Sequence, residues 1–209
     1  MSRRFCMMVA ALLLGLPAPA PVAGQAPAAG QTAPAATARA NEPRTAPKPQ
    51  TRPQGIRVPV DPAKILMDDG DTVEIRWSRD DLETVRILGI DTPETRHLEH
   101  NLPYAQDFGP EARAFAKGAF ATATEVELLR SATLDPFGRT LGYVFLNGRN
   151  YSVLVVRARL AAESVSHYGD NGLPKEAAEV LAAAKAAGPV PFEPPHLFRA
   201  RMRDVTKWM

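Results

Sequence analysis

From residue 58 onward, apolar and polar positions fall into two rhythms. Val73, Ile75 and Trp77 alternate with polar neighbours, the period-two pattern of a half-buried strand. Val85, Ile87 and Gly89 alternate with Arg86, Leu88 and Ile90, so Arg86 stands on a face with apolar neighbours. The pattern predicts strands over 64–67, 72–78, 84–90, 125–130 and 139–146, the second and third joined as a hairpin around Asp80-Asp81. Asn147-Gly148 closes the last of them as a two-residue hairpin signal. Ala112, Phe115 and Ala119 recur at helical spacing behind Gly109-Pro110-Glu111, with Pro110 in the first turn, where its missing N–H does no harm. Ala177, Val180, Leu181 and Ala184 form a stripe over 173–187 that Gly188-Pro189 ends. Residues 151–162 are ambiguous on propensity: the valines favour strand, and Ser152 as a cap with the Arg/Ala/Leu run behind it favours helix. Residues 95–108 read as an exposed polar loop broken by Pro103. Spacing alone therefore predicts an α+β domain.

The rest of the chain lacks either rhythm. Residues 25–57 are rich in Ala, Pro, Gln and Thr, with no large apolar residue before Ile56; they read as a disordered linker that cannot bury enough surface to order itself. Ahead of it, Arg3 and Arg4, a short apolar run over 5–16 and Val22-Ala23-Gly24 give residues 1–24 the form of a signal peptide. That form predicts export, to the periplasm or the medium. The formal net charge is +2, and loss of Arg3 and Arg4 with the leader leaves 23 basic against 23 acidic residues. Affinity for a polyanion must then come from a local arrangement, not from net charge. The single cysteine, Cys6, lies in the leader, which excludes disulfide and thiol chemistry from the mature chain.

Candidate chemistry gathers at the ends of the two alternating strands. Asp69-Gly70 and Thr92-Pro93 are turn signals, and pairing of the strands brings Asp71 and Asp91 to one rim. Carboxylate oxygens in that position suit a hard divalent cation such as Ca²⁺. Alone, Asp69-Gly70-Asp71 is an ordinary turn, and Arg86 a structural ion pair with Asp91 or Glu94.

The segments DGDTV (69–73), VRILGIDTPET (85–95) and DPFGRTLGY (135–143) resemble, in order and spacing, the signature of the staphylococcal-nuclease (thermonuclease) family. The resemblance runs from about residue 65 to 187. It implies a five-stranded OB-fold barrel with about three packed helices, and it tips residues 151–162 to helix. It implies that Asp71, Asp91 and Thr92 hold Ca²⁺, that Arg86 and Arg139 present guanidinium forks to the phosphate, and that Glu94 serves as the base. The activity implied is hydrolysis of phosphodiesters in DNA and RNA, leaving 5′-hydroxyl and 3′-phosphate ends. Phe137, where the family often has Lys-Tyr ahead of Gly-Arg, and Tyr168 are the aromatic residues positioned to bind substrate by stacking.

On this reading the chain divides into a leader (1–24), a linker (25–57), a nuclease domain (58–188) and a proline-rich basic extension (189–209), acting as a monomer. In the extension, Phe198, Met202, Val205 and Met209 recur at helical spacing among arginines. That pattern reads as a helix packed on the domain, with a basic grip on nucleic acid or a membrane surface as the sharper alternative. His97 and His100 are too few for a transition-metal site without a third ligand. Two rival functions stay open: a non-catalytic nucleic-acid-binding module on the same barrel, and an envelope-associated protein that binds partners through its arm and tail.

Overall fold

The computed structural model describes residues 47–208. The expected leader, and the expected linker up to residue 46, lie outside them. The elements in chain order are β1 (Arg57–Val60), β2 (Ile65–Met67), β3 (Thr72–Arg76), β4 (Leu82–Ile87), β5 (Ile90–Asp91), α1 (Gly109–Ala121), β6 (Val126–Leu134), β7 (Thr140–Leu146), β8 (Arg149–Asn150), α2 (Tyr151–Arg157), β9 (Ala162–Glu163), α3 (Val165–Tyr168), α4 (Pro174–Ala187) and α5 (Pro195–Thr206).

One curled, half-barrel sheet carries the order β1-β6-β7-β4-β3-β2, with β8 beside β7; β5 and β9 make a separate two-stranded pair. All its pairings are antiparallel except β4 with β7, which run parallel and set Val85 opposite Thr140 and Arg86 opposite Leu141. The architecture is α+β, as the hydrophobic rhythms require. The strands are more finely divided than the five expected: the run over 84–90 is cut at Leu88-Gly89, and β1 joins the edge.

Alternation does the sorting. Val73 and Ile75 on β3, Val85 and Ile87 on β4 and Leu128 on β6 turn inward and are buried. Tyr143, Val144, Phe145 and Leu146 are all buried, because β7 is a central strand with α2 packed against it. The same parity carries two charged residues inside. Glu83 falls in step with Val85 and Ile87, and Arg130 in step with Val126 and Leu128. They meet there: Arg130 donates to Glu83 through Nε at 2.8 Å and Nη2 at 2.7 Å. Trp77 Nε1 at 2.7 Å and Thr140 Oγ1 at 2.6 Å also donate to the carboxylate, and Arg52 Nε lies 3.7 Å from it. Burial pushes the Glu83 carboxyl up, but these bonds and the Arg130 charge outweigh it and hold the group below its ordinary value.

Three expectations change in detail. The described part of the expected linker is docked, not loose: Gln50 is buried, its N–H donates to Ala132 O at 2.9 Å and its side chain to Thr140 Oγ1 at 3.1 Å. Gly55 N–H follows with a 3.0 Å bond to Arg130 O. Backbone pairing along β6 and polar side chains with fixed partners order this segment without large apolar residues. The helix expected over 151–162 stops at Arg157, and Arg159 then takes a left-handed conformation that turns the chain into β9. The loop over 95–108 is not simply exposed. Leu102 is buried in a small apolar cluster with Phe198 and Met202 of α5, apart from the main core. Among the described residues, no helix is long and apolar enough to cross a membrane.

Candidate functional site

The acidic rim is assembled by two turns clamped from behind. Asp69 Oδ1 accepts the Asp71 N–H at 3.0 Å, which folds Asp69-Gly70-Asp71 into a tight Asx turn. Tyr151 at the start of α2 donates its hydroxyl to Gly70 O at 2.7 Å. A Cβ at Gly70 would lie 2.8 Å from the Thr92 side chain, so only glycine lets the first turn lie against the second. Asp71 Oδ2 then accepts the Thr92 N–H at 2.9 Å, tying the two turns together. Ser152 Oγ donates to Leu88 O at 2.7 Å and holds the bend that leads into β5 and Asp91. Glu94 is fixed by its backbone: its N–H donates to Gln106 Oε1 at 3.2 Å and its carbonyl accepts the Gln106 N–H at 2.9 Å. A Cβ at Gly109 would stand 2.1 Å from that carbonyl, so α1 can begin here only with glycine.

Arg86 rises from β4, opposite Thr72 on β3, into the space between the turns. Its Nη1 pairs with Asp71, and its Nη2 donates to Asp91 Oδ1 at 3.1 Å and Ile90 O at 3.3 Å. The ion pair considered from sequence is therefore formed, and one guanidinium holds both carboxylates. Burial lowers the proton affinity of Arg86 against the opposing field of Asp91 and Asp69; Arg139 and Arg199 lower it further.

Asp71, Arg86, Asp91, Thr92 and Glu94 are thus brought together. Arg139 stands apart, at the head of β7. Asp135 fixes it, accepting the Arg139 N–H at 2.8 Å and its Nε at 2.7 Å, while also accepting the Phe137 N–H at 2.9 Å. Phe137 is 85% exposed at the tip of that turn, 5.6 Å from the Arg139 guanidinium. Tyr168 is 61% exposed and meets His167 edge-on at 4.5 Å. Both aromatic residues are surface groups.

Sequence reasoning missed Arg199. It comes from α5 and lies over the acids: Nη1 and Nη2 donate to Asp91 Oδ1 and Oδ2 at 3.1 Å each, and Nη1 also pairs with Glu94. Burial opposes its charge, but the bonds and charge of Asp91, then of Glu94, outweigh that and raise its proton affinity above the usual arginine value. Burial also pushes the Glu94 carboxyl up, opposed by Arg199 and reinforced by Asp69 and Asp91. The only sequence signal for Arg199 is its place beside Phe198 on the apolar stripe.

These oxygens are hard donors of the kind a divalent cation takes, and the Arg199 guanidinium stands among them. In this conformation guanidinium groups hold the carboxylates, and among the described residues no three acidic, histidine or cysteine side chains are arranged around a common metal position.

The staphylococcal nuclease homologue family matches residues 84–188. The chain belongs to that family. The matched span includes Arg86, Asp91, Thr92, Glu94 and Arg139; Asp71 precedes it and Arg199 follows it. The thermonuclease of Staphylococcus intermedius is 37% identical over 94 residues, covering 44% of this chain and 53% of its own length. The SPbeta prophage-derived endonuclease YokF of Bacillus subtilis is 29% identical over 94 residues, 44% of this chain and 30% of its own. Endonuclease YncB of the same organism is 28% identical over 94 residues, 44% of this chain and 43% of its own. The chain spans between 30% and 53% of these relatives' lengths.

Proposed function

We propose that this protein is an exported nuclease that hydrolyses phosphodiester bonds of DNA and RNA with the help of a divalent cation, Ca²⁺ by family analogy. The observation that carries the reading is the meeting of Asp71, Arg86, Asp91, Thr92 and Glu94 on one rim, with Arg86 bonded to both aspartates. A phosphodiester repels anionic nucleophiles, so its hydrolysis needs charge neutralised on the non-bridging oxygens and a positioned water. Asp71, Asp91 and the Thr92 carbonyl are the groups to hold the cation, which when bound supplies Lewis-acid polarisation of the phosphate. Arg86 and Arg139 offer planar forks to the phosphate oxygens, where charge grows in the transition state. Glu94 orients the attacking water and takes its proton. The new P–O bond forms from that water as the bond to the 5′-oxygen breaks and that oxygen takes a proton from solvent, leaving a 3′-phosphate and a 5′-hydroxyl. Residues 1–24 support export, to the periplasm or the medium.

The experiment is incubation of purified protein with plasmid and single-stranded DNA, in Ca²⁺ or in excess chelator. Degradation in Ca²⁺ alone is expected. A retarded band with intact nucleic acid in both conditions identifies a binding module instead.

A further inference from the structure

We propose that α5 is a built-in cover for the acidic rim, with Arg199 as an intramolecular cation that a divalent metal must displace. The inference rests on the nuclease reading only in taking the rim as the cation site. Arg199 engages both oxygens of Asp91 and reaches Glu94, so a metal and this guanidinium cannot both hold Asp91 in the same way. Helix α5 makes a second contact through His196. His196, one turn before Arg199, stacks on His167 at 6.1 Å with the rings 7° from parallel, and His167 in turn abuts Tyr168. One helix thus places a positive charge on the carboxylates and a flat ring on His167, the neighbour of Tyr168.

The seating of α5 is that of a detachable element. Its apolar face is buried in a satellite cluster of Leu102, Phe198 and Met202, with Val205 packed against it, and not in the main core. The chain reaches it through a segment containing Pro189, Pro191 and Pro194, held by Gln106 Nε2 to Glu193 O at 2.6 Å and Arg159 Nε to Pro189 O at 2.9 Å. A helix with so small a core of its own opens at a fraction of the free energy of global unfolding. Helix α5 lies beyond the family-matched span of 84–188.

The cover reduces apparent cation affinity by the fraction of molecules in which it is open, and removing its charge returns that factor. The test is Ca²⁺ titration by calorimetry on the full chain and its variants Arg199→Ala, Arg199→Gln and, as a control, Arg203→Ala, with thermal melts to verify folding. Both Arg199 variants are expected to bind Ca²⁺ about tenfold or more tightly than wild type, with Arg203→Ala unchanged. Ca²⁺ is also expected to speed tryptic cleavage at Arg199, Arg201 and Arg203 in the wild-type chain, because the cation releases the helix. Equal Ca²⁺ affinity in wild type and both Arg199 variants overturns the proposal, whatever the activity. Unchanged affinity with lost turnover does so too, by making Arg199 a substrate-facing group. Tighter Ca²⁺ binding in the variants without cleavage of nucleic acid by any of the proteins upholds the cover and refutes the nuclease. Equal affinity with full cleavage refutes the cover and upholds the nuclease.

Discussion

Arg86 and Arg139 have the same assigned task but different surroundings, and their substitution should separate the two. Arg139 is one-third exposed and anchored only within its own turn by Asp135. Arg139→Ala is expected to lower turnover by about 10²–10³, the size of losing one transition-state donor, with little change in melting temperature. Arg86 is more deeply placed and neutralises Asp71 and Asp91 together. Arg86→Ala is expected to give a similar kinetic loss and to destabilise the fold by about 3 kcal/mol without added cation, because buried Asp71 loses its counter-charge and Asp91 keeps only Arg199. Chemical denaturation beside steady-state kinetics reads both; normal turnover in either variant removes that residue from the mechanism. The acids and both arginines were legible in the sequence because each sits at a fixed place in a motif. Arg199 was not: the helical spacing of Phe198, Met202 and Val205 marks a packed face, but nothing local says which carboxylates that face will meet. Glu83 and Arg130 were legible in principle, since strand parity turns both inward and each then requires a partner.

At the scale of elements, helix α1 is where a small change should reach the chemistry. Its first residue, Gly109, touches the Glu94 carbonyl so closely that an added methyl group has no room. Gly109→Ala is expected to destabilise the domain by about 1–3 kcal/mol, as overpacking does. It should also reduce turnover by up to about 10²-fold by shifting Glu94 from its place. A crystal structure or melting curve indistinguishable from wild type would refute the first effect, and unchanged kinetics the second. The start of α1 was legible from Gly109-Pro110, and the hairpin from Asn147-Gly148, because both depend on local backbone preference. The docking of residues 48–55 was not. That segment has almost no apolar content, and its order comes from bonds to β6 and β7, strands about eighty to ninety residues away in sequence. The same holds for the loop over 95–108, whose buried Leu102 is explained only by the arrival of α5.

For the whole molecule, a formal net charge of only +2 gives little attraction to nucleic acid, so both stability and binding rest on placed charges. The buried Glu83–Arg130 pair is the clearest of these for stability. Because the Glu83 carboxyl titrates below its ordinary 4.5 in the folded state, its contribution is fully present above about pH 4.5. That contribution is lost as pH falls through the folded-state value. Glu83→Gln is expected to weaken the protein by about 3 kcal/mol near neutrality, since it leaves Arg130 without a buried counter-charge, and to flatten the acid limb of the stability curve. Denaturant melts between pH 7 and pH 3 read both; parallel curves for the two proteins would contradict the assignment. The α+β class followed from the two hydrophobic rhythms. The curled sheet, with β4 beside β7, depends on pairings between distant segments that a period-two pattern does not specify. The central claim is that the rim holding Asp71, Arg86, Asp91 and Glu94 hydrolyses phosphodiesters with a bound cation. Its most direct test is end analysis of the fragments released from a labelled single-stranded oligonucleotide by wild type and Asp91→Asn, in Ca²⁺ and in chelator. The account predicts fragments with 5′-hydroxyl and 3′-phosphate ends from wild type in Ca²⁺, and almost none from the variant or in chelator; cleavage that survives both would contradict it.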